Sequence, residues 1–164
     1  MAFALLLLVW AAESSATDTV YLTPREALAS FFSAADTVEA EKHQIDGRSV
    51  TFYVGRKKRT VVGYAVIDNQ IGKIEPITYL VGISPEGKVA RVEILVYRET
   101  HGSEVRSDRF TRQFLGKGRR DPLMIGKDLA NVSGATLSAR AIANGVKRDL
   151  AWWERVYGKS ATVK

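Results

Sequence analysis

Hydroxyl side chains cluster in a turn of small residues that leads into the longest helical pattern of the chain. Residues 131–139 read Asn-Val-Ser-Gly-Ala-Thr-Leu-Ser-Ala, and from Leu137 to about Tyr157 apolar residues recur near helical spacing without a proline. Thr136 is therefore predicted at a helix start, where unpaired backbone N–H groups and the helix dipole favour an anion. A hydroxyl in that position is either a helix cap or a point of phosphate chemistry, and these residues alone leave both open.

Other catalytic arrangements are missing from the sequence. It contains no G-x-S-x-G nucleophile motif, no phosphate-binding P-loop and no G-x-G-x-x-G turn directly after a strand. Ser133 and Ser138 have no histidine nearby in sequence that would act as a base. Zero cysteines exclude disulfides, thiolate metal sites and cysteine nucleophiles, and the two histidines, His43 and His101, are far apart. We therefore predict neither a catalytic residue nor a metal site.

Length and charge narrow the class of protein. The chain of 164 residues suits one domain with a real core, and we assign residues 17–164 to it. The net charge of +6 fits nucleic acid, an anionic membrane, an anionic cofactor or a redox partner. The densest basic run, residues 56–59, falls at a predicted hairpin turn, which favours a solvated turn. No nucleic-acid partner is predicted.

The N-terminal segment has the pattern of a secretory signal peptide. Residues 3–12 form an apolar run that is too short to span a bilayer comfortably, and residues 14–16 are small enough for cleavage. No lysine or arginine precedes the apolar run, which is atypical for a signal. We predict a signal peptide over residues 1–16 and export to the periplasm or another extracytoplasmic location, with a buried N-terminal helix as the alternative.

A sheet and several helices must position the hydroxyl cluster. Pro24 in a first helical turn, with Thr23 as its N-cap, predicts a short helix, and a second helix carries Phe110 and Phe114. Residues 36–45 are ambiguous, whereas β-rich runs predict strands at residues 50–54, 60–67, 77–83 and 89–97. The predicted class is α+β: a twisted, mainly antiparallel sheet with helices on one face and a long C-terminal helix after the Ser-Gly-Ala-Thr motif.

Two other groups of residues allow more than one interpretation. Lys117, Arg119 and Arg120 form a basic loop that is either solvated or steers a phosphate or an acidic partner. Trp152 and Trp153 are neighbours on the predicted long helix, where successive side chains point about 100° apart. We predict helix packing with one exposed ring, and stacking on a bound planar cofactor is the alternative.

The segment Ser133-Gly-Ala-Thr-Leu-Ser138 resembles the attachment motif of the FMN-binding domain family. That family includes the flavin subunits of Rnf-type and sodium-pumping NADH:quinone reductase complexes. The similarity extends over roughly residues 63–157, and within the family the chain most resembles the small stand-alone exported members. The segments that carry it, besides the motif, are residues 72–78, 85–87, 97–102, 113–117 and 121–123.

The resemblance implies a covalently bound cofactor. In the family, the motif threonine carries FMN through a phosphoester bond installed by an FAD:protein FMN transferase, so Thr136 is the expected bearer. The neighbouring motif residues and the segment beside the flavin ring are then expected to bind FMN. These residues are Ser133, Gly134, Ala135, Leu137 and Ser138 in the motif, and Glu99, Thr100 and Gly102 beside the ring. Ala130 departs from the family, because many members carry an aspartate there, and Asn131 is the adjacent polar residue.

The function implied by the resemblance is electron transfer. We expect an exported carrier or redox subunit, more than a stand-alone enzyme, that relays electrons between a membrane oxidoreductase and an extracytoplasmic acceptor. The alternative is a non-redox exported module that binds an anion or another ligand, in which the Ser-Gly-Ala-Thr turn only caps a helix. A flavin reductase or ferric reductase ranks last, because no nicotinamide-binding motif is visible.

Overall fold

The computed structural model describes residues 18–158. The strands are β1 Thr19–Val20, β2 Thr37–Ile45, β3 Arg48–Lys57, β4 Thr60–Ile71, β5 Pro76–Ile83 and β6 Val89–Tyr97. The helices are α1 Pro24–Phe31, α2 Asp108–Thr111 and α3 Thr136–Tyr157, with 3₁₀ turns at Ser103–Arg106 and Arg112–Phe114. None of the helices described is long and apolar enough to cross a membrane. The α+β class is confirmed, whereas the predicted signal peptide 1–16 lies outside the described residues.

The strands form one six-stranded antiparallel sheet in the order β1-β6-β5-β4-β3-β2. Tight turns place each strand from β3 to β6 beside its predecessor. Gly47 (φ 75°) and Gly87 (φ 77°) lie in two of these turns, in the left-handed region that favours glycine. Strand β2 occupies the ambiguous segment 36–45. Its edge position leaves most of its residues exposed, which removes the apolar alternation that identifies a strand in sequence.

Helix α3 covers one face of the sheet and makes the larger core. Its buried face includes Ile142, Val146 and Leu150, which belong to one cluster with sheet residues such as Tyr79 and Phe52. This spacing is the helical period that predicted α3 from sequence. Burial of such a stripe supplies most of the stability of a helix in a protein, because propensity alone is weak.

One polar group crosses the interface between α3 and the sheet. The hydroxyl of Tyr79, a fully buried residue, donates to Asp149 Oδ2 at 2.9 Å, and Asp149 is also fully buried. Gly145 makes this approach possible, because a methyl group there would lie 2.2 Å from Tyr79 Oη. Arg148 bonds to Asp68 and, at 2.8 Å, to Gln70 Oε1, so it joins α3 to strand β4.

Helix α1 packs on the opposite face of the sheet. Thr23 caps it, as predicted, and the structure adds a reciprocal capping box with Glu26. The smaller core on this face contains Ala27, Phe32, Ala65, Leu80 and Leu95. The prediction that the helices share one face is therefore wrong for α1. The physical reason is that glycines in three strands leave room for aromatic rings on this face: Gly55 faces Phe32, and Gly63 and Gly82 face Phe31.

An irregular segment between residues 115 and 135 leads from the short helices to α3. The carboxylate of Asp128 accepts hydrogen bonds from the backbone N–H groups of Leu123 (3.1 Å) and Met124 (2.8 Å). Burial opposes ionisation of Asp128, but these bonds and Lys117 outweigh it and hold the pKa of the carboxyl below its usual value. Gln113 Oε1 accepts from the backbone N–H of Ala130 at 2.6 Å. The approach to the Ser-Gly-Ala-Thr turn is therefore held at two points.

Candidate functional site

Helix α3 begins at Thr136, as the sequence predicted. Ala135 is the N-cap residue, and no side chain of the described residues caps the helix. The turn before it depends on Gly134, whose φ of 78° lies in the left-handed region. The interpretation in which Ser133 or Thr136 caps the helix is therefore wrong. The first N–H groups of an α-helix have no partners within the helix, so this end offers donors to an anion.

Thr136 presents its hydroxyl at this helix start. Its Oγ1 accepts a hydrogen bond from Asn131 Nδ2 at 2.9 Å, and the residue is half-buried. The bond orients the hydroxyl and leaves its own proton free to be donated or lost. Asn131 follows Ala130 in the sequence. The sequence showed that Asn131 lies near Thr136 along the chain, but it did not show the hydrogen bond to the Thr136 hydroxyl.

A cavity of about 420 Å³ opens beside Thr136. Seven of the nine residues predicted to bind the cofactor line it, although the two segments that supply them lie about thirty residues apart in sequence. The lining residues are Lys73, Ile74, Glu99, Thr100, His101, Gly134, Ala135, Thr136, Leu137 and Ser138. The volume falls in the range of small-molecule sites. The role of the seven predicted residues as cofactor ligands stays a prediction.

Two predicted residues are not in the lining. Ser133 is exposed on the turn before the helix. Gly102 is buried beneath the cavity, where a methyl group would lie 2.6 Å from Tyr97 Oη and 2.9 Å from Ser138 Oγ. Its φ of 96° also favours glycine. Gly102 therefore lets the segment after β6 approach the start of α3, and that contact brings the two halves of the site together.

Glu99 holds one wall of the cavity. Its Oε1 accepts hydrogen bonds from the backbone N–H groups of three successive residues: Lys73, Ile74 at 2.6 Å and Glu75 at 3.1 Å. Three donors converging on one carboxylate oxygen make a charge-assisted anchor for the β4–β5 turn. The carboxylate was expected beside the flavin ring. Because its Oε1 is engaged by the turn, we assign Glu99 the role of positioning Lys73 and Ile74.

Tyr97 supports the candidate site from below, in a role that the sequence did not predict. Its hydroxyl donates to the carbonyl of His101 at 2.6 Å and lies 2.9 Å from the buried Ser138 Oγ. Burial is the main cause that raises the pKa of Tyr97, and the Ser138 contact opposes it. The hydroxyl thus joins the end of β6 to the first turn of α3. A tyrosine closing an alternating strand gave no sequence signal of this role.

The rim of the cavity is unusually apolar for a solvent-facing surface. Ile74 is 69% exposed and Leu137 is 51% exposed, and both line the cavity. Lys73 adds an exposed cation beside them, and His101 faces the same space. Lys73 and Ile74 were not predicted as site residues. The one feature of the sequence that could have indicated these site residues is an isoleucine among polar neighbours in a turn.

The tryptophans and the basic loop lie elsewhere. Trp152 and Trp153 are both buried, which contradicts the predicted exposed ring. Arg148 of α3 stacks over Trp152, and Trp153 packs against Tyr64 of β4. Both rings belong to the core between α3 and the sheet. Lys117 pairs with Asp128 at 3.1 Å. No His, Asp or Glu cluster suited to a metal occurs within residues 18–158.

Comparison with known proteins agrees with this geometry. Residues 72–151, which include both walls of the cavity, match the model of the FMN-binding domain. The match identifies this segment as an FMN-binding domain. Over 118 residues it is 30% identical to a protein of Clostridium ljungdahlii that is named as a subunit of the proton-translocating ferredoxin:NAD(+) oxidoreductase complex. That match covers 66% of this chain and 63% of the relative, so the chain spans less than two thirds of that protein's length.

The residues of this FMN-binding domain fit the chemistry of FMN. The cofactor has a phosphate at one end and a planar, largely apolar ring system at the other. The uncapped start of α3 supplies donors that suit the phosphate. The exposed side chains of Ile74 and Leu137 supply apolar surface that suits the ring system.

Proposed function

We propose that this chain is an exported electron-transfer protein that carries FMN in phosphoester linkage to Thr136. The observation that carries the proposal is a single cavity built from two distant segments. One is the uncapped start of α3 with Thr136, and the other is the end of β6 with Glu99 and Thr100. The match to the FMN-binding domain supports the cofactor, and the similarity to a protein of an oxidoreductase complex supports electron transfer.

The attachment step needs only the hydroxyl of Thr136 and FAD as donor. A bond forms between Thr136 Oγ1 and the phosphorus of the FMN half, the pyrophosphate bond of FAD breaks, AMP leaves and the hydroxyl proton is released. We expect an FAD:protein FMN transferase to catalyse this step. Asn131, which bonds to Thr136 Oγ1 at 2.9 Å, orients the hydroxyl, and the N–H groups at the start of α3 suit the phosphate oxygens.

The protein tunes a cofactor that does the redox chemistry. FMN, when bound, supplies the exchange of electrons. Lys73 places a positive charge at the cavity, which favours negative charge on the bound group. Glu99 fixes the turn that carries Lys73, and Ile74 and Leu137 exclude water from the rim. The chain thereby acts as a carrier or redox subunit more than as a stand-alone enzyme.

The proposed partner is a membrane oxidoreductase, with an extracytoplasmic electron acceptor. The name of the similar Clostridium ljungdahlii protein describes part of an oxidoreductase complex, which supports this assignment by similarity. Export through residues 1–16 completes the proposal, and its direct test is the N-terminal sequence and cellular fraction of the full chain.

Mass spectrometry of the full chain, co-expressed with a flavin transferase, tests the attachment. We expect the tryptic peptide of residues 128–140 to gain the mass of FMN less one water. Thr136→Ala should abolish that mass, and Thr136→Ser should retain it because a hydroxyl remains. Ser133→Ala is the matched control, since its hydroxyl lies in the same motif but outside the cavity.

The proposal fails if the peptide never carries the adduct in a transferase-positive host. Colourless protein from that host would instead favour the non-redox module that binds an anion at the start of α3. If the protein is yellow but loses its flavin on denaturation, FMN binding stands and the proposed covalent bond is overturned.

A further inference from the structure

A second cavity, of about 590 Å³, lies along the outer edge of strand β6. The edge is covered at both ends. At one end Val96 and Tyr97 pair with β1, and the backbone N–H of Tyr21 donates to the carbonyl of Leu95 at 2.9 Å. At the other end Lys88 forms a bridge with Gly118, and Val89 exchanges backbone hydrogen bonds with Lys117 and Gly116. No other described strand pairs with this edge at residues 90–94.

We call this gap over residues 90–94 the edge notch. The chain that returns from the end of β6, through the 3₁₀ turns and α2, supplies the other residues that line this cavity. A strand exposes unpaired N–H and C=O groups along a free edge, and such an edge accepts another extended chain. At about 3.4 Å per residue, the gap of five residues accommodates a segment of about four or five residues.

The side chains around the edge notch select for a carboxylate. Arg91 is paired with Glu93 at 2.9 Å, and Arg112 is paired with Asp108 at 3.1 Å. Arg106 also lines the notch, and within residues 18–158 its guanidinium has no ion pair with an acidic side chain. It stacks over the ring of Tyr21 at 4.3 Å, which holds it in place. Leu115, 47% exposed, adds an apolar patch to the cavity lining.

We propose that the edge notch binds an extended segment of a partner protein by strand addition to β6, with an acidic side chain of that segment paired to Arg106. Backbone hydrogen bonds to the free edge provide the affinity, and the side chains provide the selection. This interaction is separate from cofactor binding and does not depend on the proposed attachment at Thr136.

Peptide titration of the full chain tests the edge notch. The probe is the acetylated and amidated peptide Thr-Val-Glu-Val-Thr, followed by the backbone amide resonances of the ¹⁵N-labelled protein. We expect saturable shifts at residues 90–94. A peptide with Gln in place of Glu, or the variant Arg106→Gln, should bind about tenfold more weakly because one charge-assisted hydrogen bond is lost. Arg120→Gln is the matched control, since Arg120 is an exposed arginine outside the notch.

A charge exchange separates recognition from damage to the fold. Arg106→Glu should reject the Glu peptide and bind a peptide with Lys at the same position. Absence of saturable shifts at residues 90–94 would overturn the proposal. So would equal affinity of the Glu and Gln peptides for the intact protein, or failure of the Lys peptide to bind the folded Arg106→Glu variant.

Discussion

Several side chains shape the candidate site by bonding to backbone groups of other segments. Glu99 is the clearest case, because its one oxygen holds three successive N–H groups of the β4–β5 turn. From the sequence, the resemblance named Glu99 as a flavin neighbour, which stays a prediction, and Glu99 does line the cavity. The resemblance could not show that the partner of the carboxylate is a turn more than twenty residues earlier, because that contact depends on strands β5 and β6 pairing.

Glu99→Gln should loosen the β4–β5 turn without unfolding the protein. The amide oxygen still accepts hydrogen bonds, but loss of the charge weakens them by about 1.4 kcal/mol. Amide hydrogen exchange at Lys73 and Ile74 should therefore become about tenfold faster. Glu104→Gln, at an exposed acidic residue after the same strand, should leave these two amides unchanged. Unchanged exchange in Glu99→Gln would remove the positioning role assigned to this carboxylate.

At the scale of elements, α3 was the most predictable part of the fold. Its apolar positions repeat at the helical period over 22 residues, so local pattern and burial agree. Strand β2 was not predictable in the same way. It is an edge strand whose residues are mostly exposed, and its sequence carries Glu39, Glu41, Lys42 and His43 where a buried strand would carry apolar side chains.

Helix α3 also carries a buried acid whose charge state links stability to pH. Burial is the main cause that raises the pKa of Asp149 well above its usual value, and the nearby charge of Asp68 adds to it. Arg148 and the hydrogen bond from Tyr79 act in the opposite direction. A raised folded-state pKa means that the stabilising contribution is complete below the unfolded pKa. It is then lost as the pH rises through the folded pKa.

Asp149→Asn should therefore change the pH dependence of unfolding. The asparagine keeps an acceptor for Tyr79 but does not titrate, so the variant should gain stability relative to the wild type as the pH rises above about 4. The gain is at most about 1.4 kcal/mol per pH unit until the folded pKa is passed. Urea unfolding between pH 4 and 9 measures it. The control is Asp46→Asn, at an exposed carboxylate paired with Arg155, and parallel profiles for the two variants would contradict the assignment.

At the scale of the whole molecule, the sheet separates two cores with different tasks. The α3 face contains the larger core and supports the candidate site, and the α1 face contains a smaller one. The sequence pattern predicted α1 and its cap, but the face of the sheet predicted for α1 was wrong. Hydrophobic patterning identifies the buried side of a helix, but nothing in that pattern states which face of a sheet the helix meets. The glycines of the strands were the usable signal, because they mark close approach by another element.

Gly82→Ala tests this division of the molecule. A methyl group at Gly82 would lie 2.3 Å from the Phe31 ring, so overpacking should cost about 1–3 kcal/mol of stability. If Thr136 carries FMN as proposed, the added mass should remain, because the cavity uses the other face. Thermal unfolding and the mass of the tryptic peptide measure the two effects separately. The double variant Gly82→Ala with Phe31→Ala should lose less than the sum of the single variants, and strict additivity would argue against the ring contact.

The contact between Gly145 and Tyr79 has a consequence for where Thr136 can lie. A helix packed by its apolar stripe alone can shift along its axis by one turn, about 5.4 Å, and still present similar side chains. Tyr79 Oη occupies the only space that a residue without a side chain leaves in this stretch of α3, and it bonds to Asp149 one turn later. Sliding would drive the hydroxyl into a methyl-bearing neighbour and break that bond. The buried tyrosine therefore sets the position of the helix along its axis, and with it the position of Thr136 along the sheet.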